Sequence, residues 1–352
     1  MATSTGIYHR NYAAELRLRH TKAEKARLAL MAVLLLSLPY ILNVYWLGIV
    51  NTILIAVVGA VGLNILVGYT GQISLGQGGF LAVGAYTSGI LATRSGLPVP
   101  LAILAAVLVT AGVGAFFGLP ALRLKGLYLA IATLASQEII LFVVRRWTWL
   151  TEGKGYVEVH RLELFGWRVD RTMFEVQWYW ILLVVAALAV YAARNLFRTS
   201  LGRSFMAVRD QDIAAEAIGV NLTRAKVTAF AVSSGFVGLA GALLAHYTET
   251  VTWERFTLDV SVLYLAMIIV GGLGRVAGSV YGAAFMMLLP AVLTEVAQRL
   301  STVAPFLVEQ LPAVKNATFG LAIIAFLLIE PRGLDRIWTR IKDYVRCWPF
   351  RY

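Results

Sequence analysis

FRTSLGRSFMAVRDQDIAAEAIGVNLTRAK, Phe197 to Lys226, is a basic, helix-prone stretch that interrupts a sequence otherwise soluble in lipid. The side of the membrane on which it falls decides how the chain is threaded. Of the 352 residues, 59% are hydrophobic and 14% charged, and the mean hydropathy is +0.74. So apolar a chain lacks the polar surface of a water-soluble domain and reads as all-α, a polytopic helical membrane protein. The net charge of +12 does not indicate nucleic acid, because Lys and Arg cluster beside apolar spans rather than on a face interleaved with aromatics. A single cysteine, Cys347, excludes an internal disulfide and a Cys-based metal site, and His9, His20, His160 and His246 are scattered.

Upstream of the stretch, residues 1–27 are polar and basic and lead into an apolar run without a small-residue cleavage site, which predicts a cytoplasmic arm rather than a signal peptide. Segments of about 20 apolar residues cross a hydrocarbon core of about 30 Å at about 1.5 Å per residue. They fall at 28–47, 49–67, 74–94, 98–119, 126–146, 178–196, 226–247, 258–272, 277–298 and 312–330. The expectation is about ten transmembrane helices in one permease domain, 28–331, with a polar loop near 147–177, a second loop at 197–225 and a tail at 332–352.

Charge sets the orientation, since short cytoplasmic loops and helix ends carry an excess of Lys and Arg. With the N-terminus inside, the inner segments hold Arg10, Arg17, Arg19, Lys22, Lys25, Arg27, Arg123 and Lys125. They also hold Arg194, Arg198, Arg203, Arg209, Arg224, Lys226, Arg275, Arg332, Arg336, Arg340, Lys342, Arg346 and Arg351, so that 21 of the 31 basic residues are cytoplasmic. Six of the others lie in the outer loop, where Glu152, Glu158, Glu163, Asp170 and Glu175 nearly neutralise them. Both termini and the opening stretch are therefore predicted to be cytoplasmic. Trp147, Trp149 and Trp167 in the outer loop suit interfacial anchors.

The spans themselves are not uniform. Gly59 to Gly89 reads GAVGLNILVGYTGQISLGQGGFLAVGAYTSG, and so many glycines either let helices pack closely or break one, in which case the freed backbone must be buried or line a cavity. Asn64, Gln72, Ser74 and Gln77 favour a broken segment beside a path. A second glycine-rich link, GGLGRVAGSVYG from Gly271 to Gly282, shares little with the first except glycine, which gives an internal repeat slight support. Glu138, in LAIATLASQEIILFVV, is a carboxylate in the outer half of the fifth span, where charge needs a partner or a wet cavity. It either fixes packing or shapes a polar path.

No engine is visible. GQISLGQG has Gly71 and Gly76 at the spacing of a phosphate-binding loop, but Gln77 and Gly78 stand where Lys and Ser or Thr are required. There is no HExxH, no Arg-rich voltage sensor and no carboxylate relay, although Glu138 keeps ion-coupled secondary transport open as an alternative. The missing engine suggests a motor bound from outside.

Five blocks then carry a resemblance: LNILVGYTGQISLGQGGFLAVGAYTSGIL (Leu63 to Leu91), GLYLAIATLASQEI with WTWLTEG (Gly126 to Gly153), LGRSFMAVRDQDIAAEAIGVNLTRAKVTAFAVSSGFVGLAGAL (Leu201 to Leu243), IIVGGLGRVAGSVYGA (Ile268 to Ala283) and IEPRGL (Ile329 to Leu334). In this order, over roughly residues 40 to 335, the chain resembles the M-type permease of the branched-chain amino-acid ABC importers. The resemblance implies a heterodimer with a related permease, two cytosolic ATPases holding ATP and Mg, and a periplasmic or lipid-anchored binding protein, all at a bacterial inner membrane. It implies no cofactor and no catalytic residue on this chain. AAEAIG (Ala214 to Gly219) resembles the coupling motif that meets an ATPase. The residues expected at that contact are Arg209, Asp210, Asp212, Glu216 and Gly219, on one helix of about 209 to 219.

The path residues expected from composition are Asn64, Gln72, Ser74, Gln77, Tyr86 and Glu138. Gln77 stands where many members carry His, and GKGYVEV (Gly153 to Val159) replaces a Gly-Pro-Asn turn. The cargo implied is a branched-chain or related hydrophobic amino acid, with urea, short amides or aromatic acids as alternatives.

Overall fold

A computed structural model describes residues 22–147, 156–159, 163–164, 167–168 and 173–299, and beyond these 313–314, 317–318, 320–321, 324–325, 328, 333–336 and 339–340. Most of the N-terminal arm, much of the outer loop, half of the tenth span and most of the tail with Cys347 lie outside the described residues. The chain divides into two compact units, Met1–Gly48 and Ile49–Tyr352.

The first unit holds α1 (Lys22–Ile41), whose described side chains are mostly exposed, and the start of α2 (Val44–Asn64). The helix boundary expected near residue 48 falls instead at Leu42 and Asn43. Leu47 N–H donates to Asn43 O at 2.9 Å, so the short polar side chain that favours helix starts marks the junction. Gly48, in the middle of an apolar run, simply remains helical.

In the second unit α2 continues through a π-helical turn, Ile65–Tyr69, and its helix axis then ends. Residues 71–76 are irregular and α3 begins at Gln77, running to Arg94. There follow α4 (Val99–Gly118), α5 (Leu127–Arg146), α6 (Phe174–Leu196), α7 (Ser200–Asp210), α8 (Asp212–Ala217), α9 (Leu222–Thr248), α10 (Leu258–Gly271) and α11 (Val276–Arg299). Described residues between 313 and 328 are helical as well. Among the described residues six helices are long and apolar enough to cross a membrane: Val44–Tyr69, Val99–Gly118, Leu127–Arg146, Phe174–Leu196, Leu222–Thr248 and Val276–Arg299. The protein is therefore an all-α polytopic membrane protein. At about 1.5 Å per residue, the 14 residues of α10 reach about 21 Å, short of a hydrocarbon core.

The core of the second unit is α9 with α3 and α4 against it. Phe230 and Val237 of α9 are buried, and small residues let backbones approach: Gly84 lies on Gly238, and Gly241 on the carbonyl of Leu81. Lipid tails are as apolar as leucine, so close packing rather than water exclusion holds such helices together. The two ends of the unit differ. At one end β1 (Tyr156–Glu158) pairs antiparallel with β4 (Thr250–Thr252), Val157 opposite Val251, and Val159 packs on Gly89 of α3. Between them in sequence, β2 (Glu163–Leu164) pairs with β3 (Trp167–Arg168). At the same ribbon end the Glu175 carboxylate accepts from Asn51 Nδ2 at 2.7 Å and Tyr247 Oη at 2.9 Å. The other end carries α7, α8, the α4–α5 link and the α10–α11 link, and is lined by Lys125, Arg209, Asp212, Lys226 and Arg275.

Candidate functional site

Two glycine-rich links meet at the loop end. Asn64, the last residue of α2, donates from Nδ2 to Arg275 O at 2.9 Å and Ser279 Oγ at 2.7 Å, and its Oδ1 accepts from Gly274 N at 2.9 Å. The amide expected beside a path is thus engaged in stapling the end of α2 to the α10–α11 link. Beyond it the backbone breaks at Gly71, whose φ of +72° is costly for any residue with a Cβ.

From Gly71 to Gly76 side chains alternate: Gln72, Ser74 and Gly76 are buried, while Gly71 and Ile73 are exposed. This irregular segment brings the start of α3 back alongside the last part of α2. There Gln77 Nε2 donates to Gly59 O at 3.1 Å. The N–H groups freed by the break are taken up by side chains, as buried backbone requires. Thr133 Oγ1 accepts from Leu75 N at 2.9 Å, Ser74 Oγ from Gly76 N at 3.3 Å, and Ser261 Oγ from Gly78 N at 2.8 Å.

Gln137 of α5 closes this cluster. With its amide turned as its neighbours require, the nitrogen donates to Ser261 Oγ at 2.6 Å and Leu75 O at 3.0 Å, and the oxygen accepts from Leu258 N at 3.2 Å. It joins the starts of α3 and α10 to α5. Sequence reading selected its neighbour Glu138, whose side chain is 55% exposed and stands 3.9 Å from Arg145. The face of α5 was the missed signal, since Thr133, Ser136, Gln137, Ile140 and Leu141 are buried at helical spacing and one step along turns Glu138 away. Ser88 of α3 and His246 of α9 are buried 2.8 Å apart but 158 residues apart in sequence, so His246 stood there as an isolated histidine.

Two expected path residues keep unpaired groups. Gln72 is 5% exposed, yet neither amide atom finds a hydrogen-bond partner, nor does the Tyr86 hydroxyl. Buried polar groups are nearly always paired, so among the buried side chains of the described residues these two, together with Asn51 Oδ1, keep hydrogen-bonding capacity to spare.

The loop that opened the sequence is an elbow rather than one helix of about 209 to 219. Thr199 caps α7, accepting from Gly202 N at 3.4 Å, and α7 ends at Asp210. Gln211 is extended (φ −165°, ψ 116°), and six residues of α8 follow. Val220 N donates to Ala215 O and Gly219 N to Glu216 O, both at 2.9 Å, the crossed bonds of a glycine-terminated helix. The five expected contact residues therefore part company. Asp212 bridges Lys125 Nζ at 2.8 Å and Lys226 Nζ at 3.1 Å. Burial by itself raises the Asp212 carboxyl, but hydrogen bonds from Lys125 and Lys226 and their charges outweigh it and hold the group below the ordinary 3.8. Asp210 pairs with Arg209 at 2.9 Å, and Arg209 turns toward the break. Glu216 is exposed, and with it Ile213 (75%) on α8 and Ile218 (77%) just past its end, two large apolar side chains within six residues.

A helical bundle with a broken segment whose backbone groups are met by neighbouring helices, and a charged elbow at one end, is an architecture that suits a membrane transporter. The chain belongs to the family described as the branched-chain amino acid transport system permease component, whose model matches residues 45–328. It is similar to the high-affinity branched-chain amino acid transport system permease protein LivM of Salmonella typhimurium, 33% identical over 299 residues, 78% of this chain and 68% of the relative. The LivM protein of Escherichia coli is similar to the same extent. The ribose import permease protein RbsC of Escherichia coli is 27% identical over 80% of this chain and 88% of its own length. No solved structure matches the chain.

Proposed function

We propose that this chain is one permease subunit of an ATP-driven ABC importer in a bacterial inner membrane. It forms half of a path for branched-chain or related hydrophobic amino acids with a second, related permease. Two cytosolic ATPases supply ATP and Mg, and a periplasmic or lipid-anchored protein delivers cargo. The observation that carries this reading is the 33% identity to LivM across 78% of the chain. The likeness to ribose and autoinducer 2 import permeases, at 26–27% identity, supports the wider class of importer and leaves urea, short amides and aromatic acids as alternative cargoes.

In this reading about ten crossings place both termini and the α7–α8 elbow in the cytoplasm, as the basic residues favour. The coupling contact is α8: Ile213, Glu216 and Ile218 face an ATPase groove, Asp212 fixes the start of the helix, and Gly219 ends it. A small exposed apolar pair flanking a carboxylate suits a helix laid into a groove. Gln72 and Tyr86 are the path groups with bonds to offer. Ser74, Gln77 and Asn64 hold the backbone beside them, and Glu138 faces outward, toward lipid or the second permease.

Co-purification tests the coupling contact. Candidate ATPases should be retained by the native chain and lost with Ile213→Asp together with Glu216→Arg. Unchanged association and unchanged ATPase stimulation in that double variant would remove α8 from the contact. The rival, ion-coupled transport by the chain alone, requires uptake under a proton or sodium gradient that Glu138→Gln abolishes.

A further inference from the structure

The elbow touches the broken crossing at one charged point. Arg209, in the last turn of α7, sends Nη1 to the carbonyl of Gly68 at 3.3 Å, and its Nε and Nη2 both meet Asp210 Oδ1, at 3.1 and 2.9 Å. Gly68 lies in the π-helical turn where α2 stops. The last carbonyls of a helix lack intrahelical donors and carry the negative end of its dipole, so a guanidinium placed there both supplies a donor and meets favourable charge. The stem of the same side chain lies against Gly71, where a Cβ would stand 3.1 Å from Cγ of Arg209. Beside it the rings of Tyr69 and Phe197 stack with centroids 3.3 Å apart. The contact is therefore an aromatic stack and an arginine cap, both on the residues that bound the break.

The other arm of the elbow is anchored elsewhere. Across the extended residue Gln211, Asp212 holds Lys125 and Lys226, which belong to the α4–α5 link and the N-terminal part of α9. Both arms lie against α9; α7 also reaches the broken crossing and α8, through Asp212, the α4–α5 link, with a non-helical joint between.

We infer that Arg209, oriented by Asp210, is the positioning residue through which displacement of the α7–α8 elbow moves the broken segment 65–76, rather than a contact for the ATPase. This rests on the importer reading above. A push on α8 pivots at Gln211, and the Gly68 carbonyl follows the guanidinium. Asp210 keeps the fork aimed, since two of its donors are already held by one carboxylate oxygen and the third points at the crossing.

The test uses the whole importer, this chain with a second permease, two ATPases and the binding protein, in vesicles. It measures substrate taken up per ATP hydrolysed for Arg209→Ala, Arg209→Lys and Asp210→Asn. With assembly intact and hydrolysis preserved, uptake per ATP is expected to fall about tenfold in Arg209→Ala, the scale on which residues between coupled sites act. Arg209→Lys, which keeps the charge on a single ammonium but has no planar fork, and Asp210→Asn should fall less. If Arg209→Ala does not fold, Asp210→Asn, an exposed substitution, carries the same ratio measurement. An unchanged ratio, with uptake and hydrolysis falling together or not at all, would overturn the inference. Loss of the ATPases from the Arg209→Ala complex would overturn it too, by making Arg209 a contact, and would leave the importer reading standing. Absence of ATP-driven uptake in the native assembly would instead sink that reading and the inference with it.

Discussion

Two glycine-rich crossings lie side by side in this protein and behave in opposite ways. Over the 27 residues of α9, Gly235, Gly238 and Gly241 recur every three residues and the helix runs unbroken. Between Gly59 and Gly79 the α2–α3 crossing passes through a π-helical turn and six irregular residues before it becomes helical again. The broken stretch is richer in glycine, seven residues against three in α9, but what surrounds the glycines differs as well. In α9 the glycines share a face and are filled from outside by Thr110 and by the backbone of α3. In the other crossing Gly71 has positive φ, and polar side chains from α5 and α10 stand ready for the backbone groups that the break releases. Glycine makes a break possible; the partners supplied by neighbouring helices make it affordable in lipid.

The largest effect should come from closing the approach that α9 depends on. Gly241→Leu drives a side chain into the Leu81 carbonyl, a cost of about 1–3 kcal/mol or more. It is expected to lower the thermal midpoint in detergent and the yield of folded protein. Gly112→Ala, inside α4 where nothing lies within 4 Å, serves as the control and should leave stability unchanged or raise it by up to about 1 kcal/mol. Equal losses in the two would break the distinction between packing glycines and idle ones.

Asp212→Asn comes next. Lys226, whose side chain is 6% exposed, keeps its charge and loses its carboxylate, which costs about 1–3 kcal/mol at the point where the elbow joins α9. The same pair predicts an acid limb. The folded-state value is lowered, so the contribution is complete above the ordinary 3.8 and is lost as pH falls through the lowered value. Thermal midpoints measured in falling pH should therefore drop more steeply in the native chain than in Asp212→Asn.

Gly71→Ala sharpens the comparison from the other side. The positive φ costs about 1–2 kcal/mol for an L residue, and the added Cβ crowds Arg209. Transport should suffer more than stability, whereas a loss of folding as large as that of Gly241→Leu would mean that the break is ordinary core. Smallest of all, Glu138→Gln should change stability by under about 0.5 kcal/mol, while Gln137→Leu, which strands the starts of α3 and α10, should cost several times as much. A reversal would return the path to the carboxylate.

Much of this was legible beforehand, and for physical reasons. α4, α5, α9, α10 and α11 begin and end within four residues of expectation because 20 apolar residues bounded by charge have few other fates in a bilayer. The junction at Asn43 was missed because an apolar run on both sides hides where one helix stops. The break after Asn64 was visible as a density of glycine and amides, but its shape depended on Thr133, Ser261 and Gln137, more than fifty residues away in sequence. Glu138 drew attention because charge is rare in a membrane, yet a neutral amide one residue earlier occupies the buried face. In the elbow, helix-forming composition ran straight through Gln211, where tertiary anchors on either side override propensity.

Uptake into vesicles is the most direct test of the whole account. Vesicles holding this chain, a second permease, two ATPases and a binding protein should accumulate a branched-chain amino acid only when ATP is supplied, and the chain alone should accumulate none under a proton or sodium gradient. Gradient-driven uptake by the purified chain, with no gain on adding the ATPases and ATP, would contradict it.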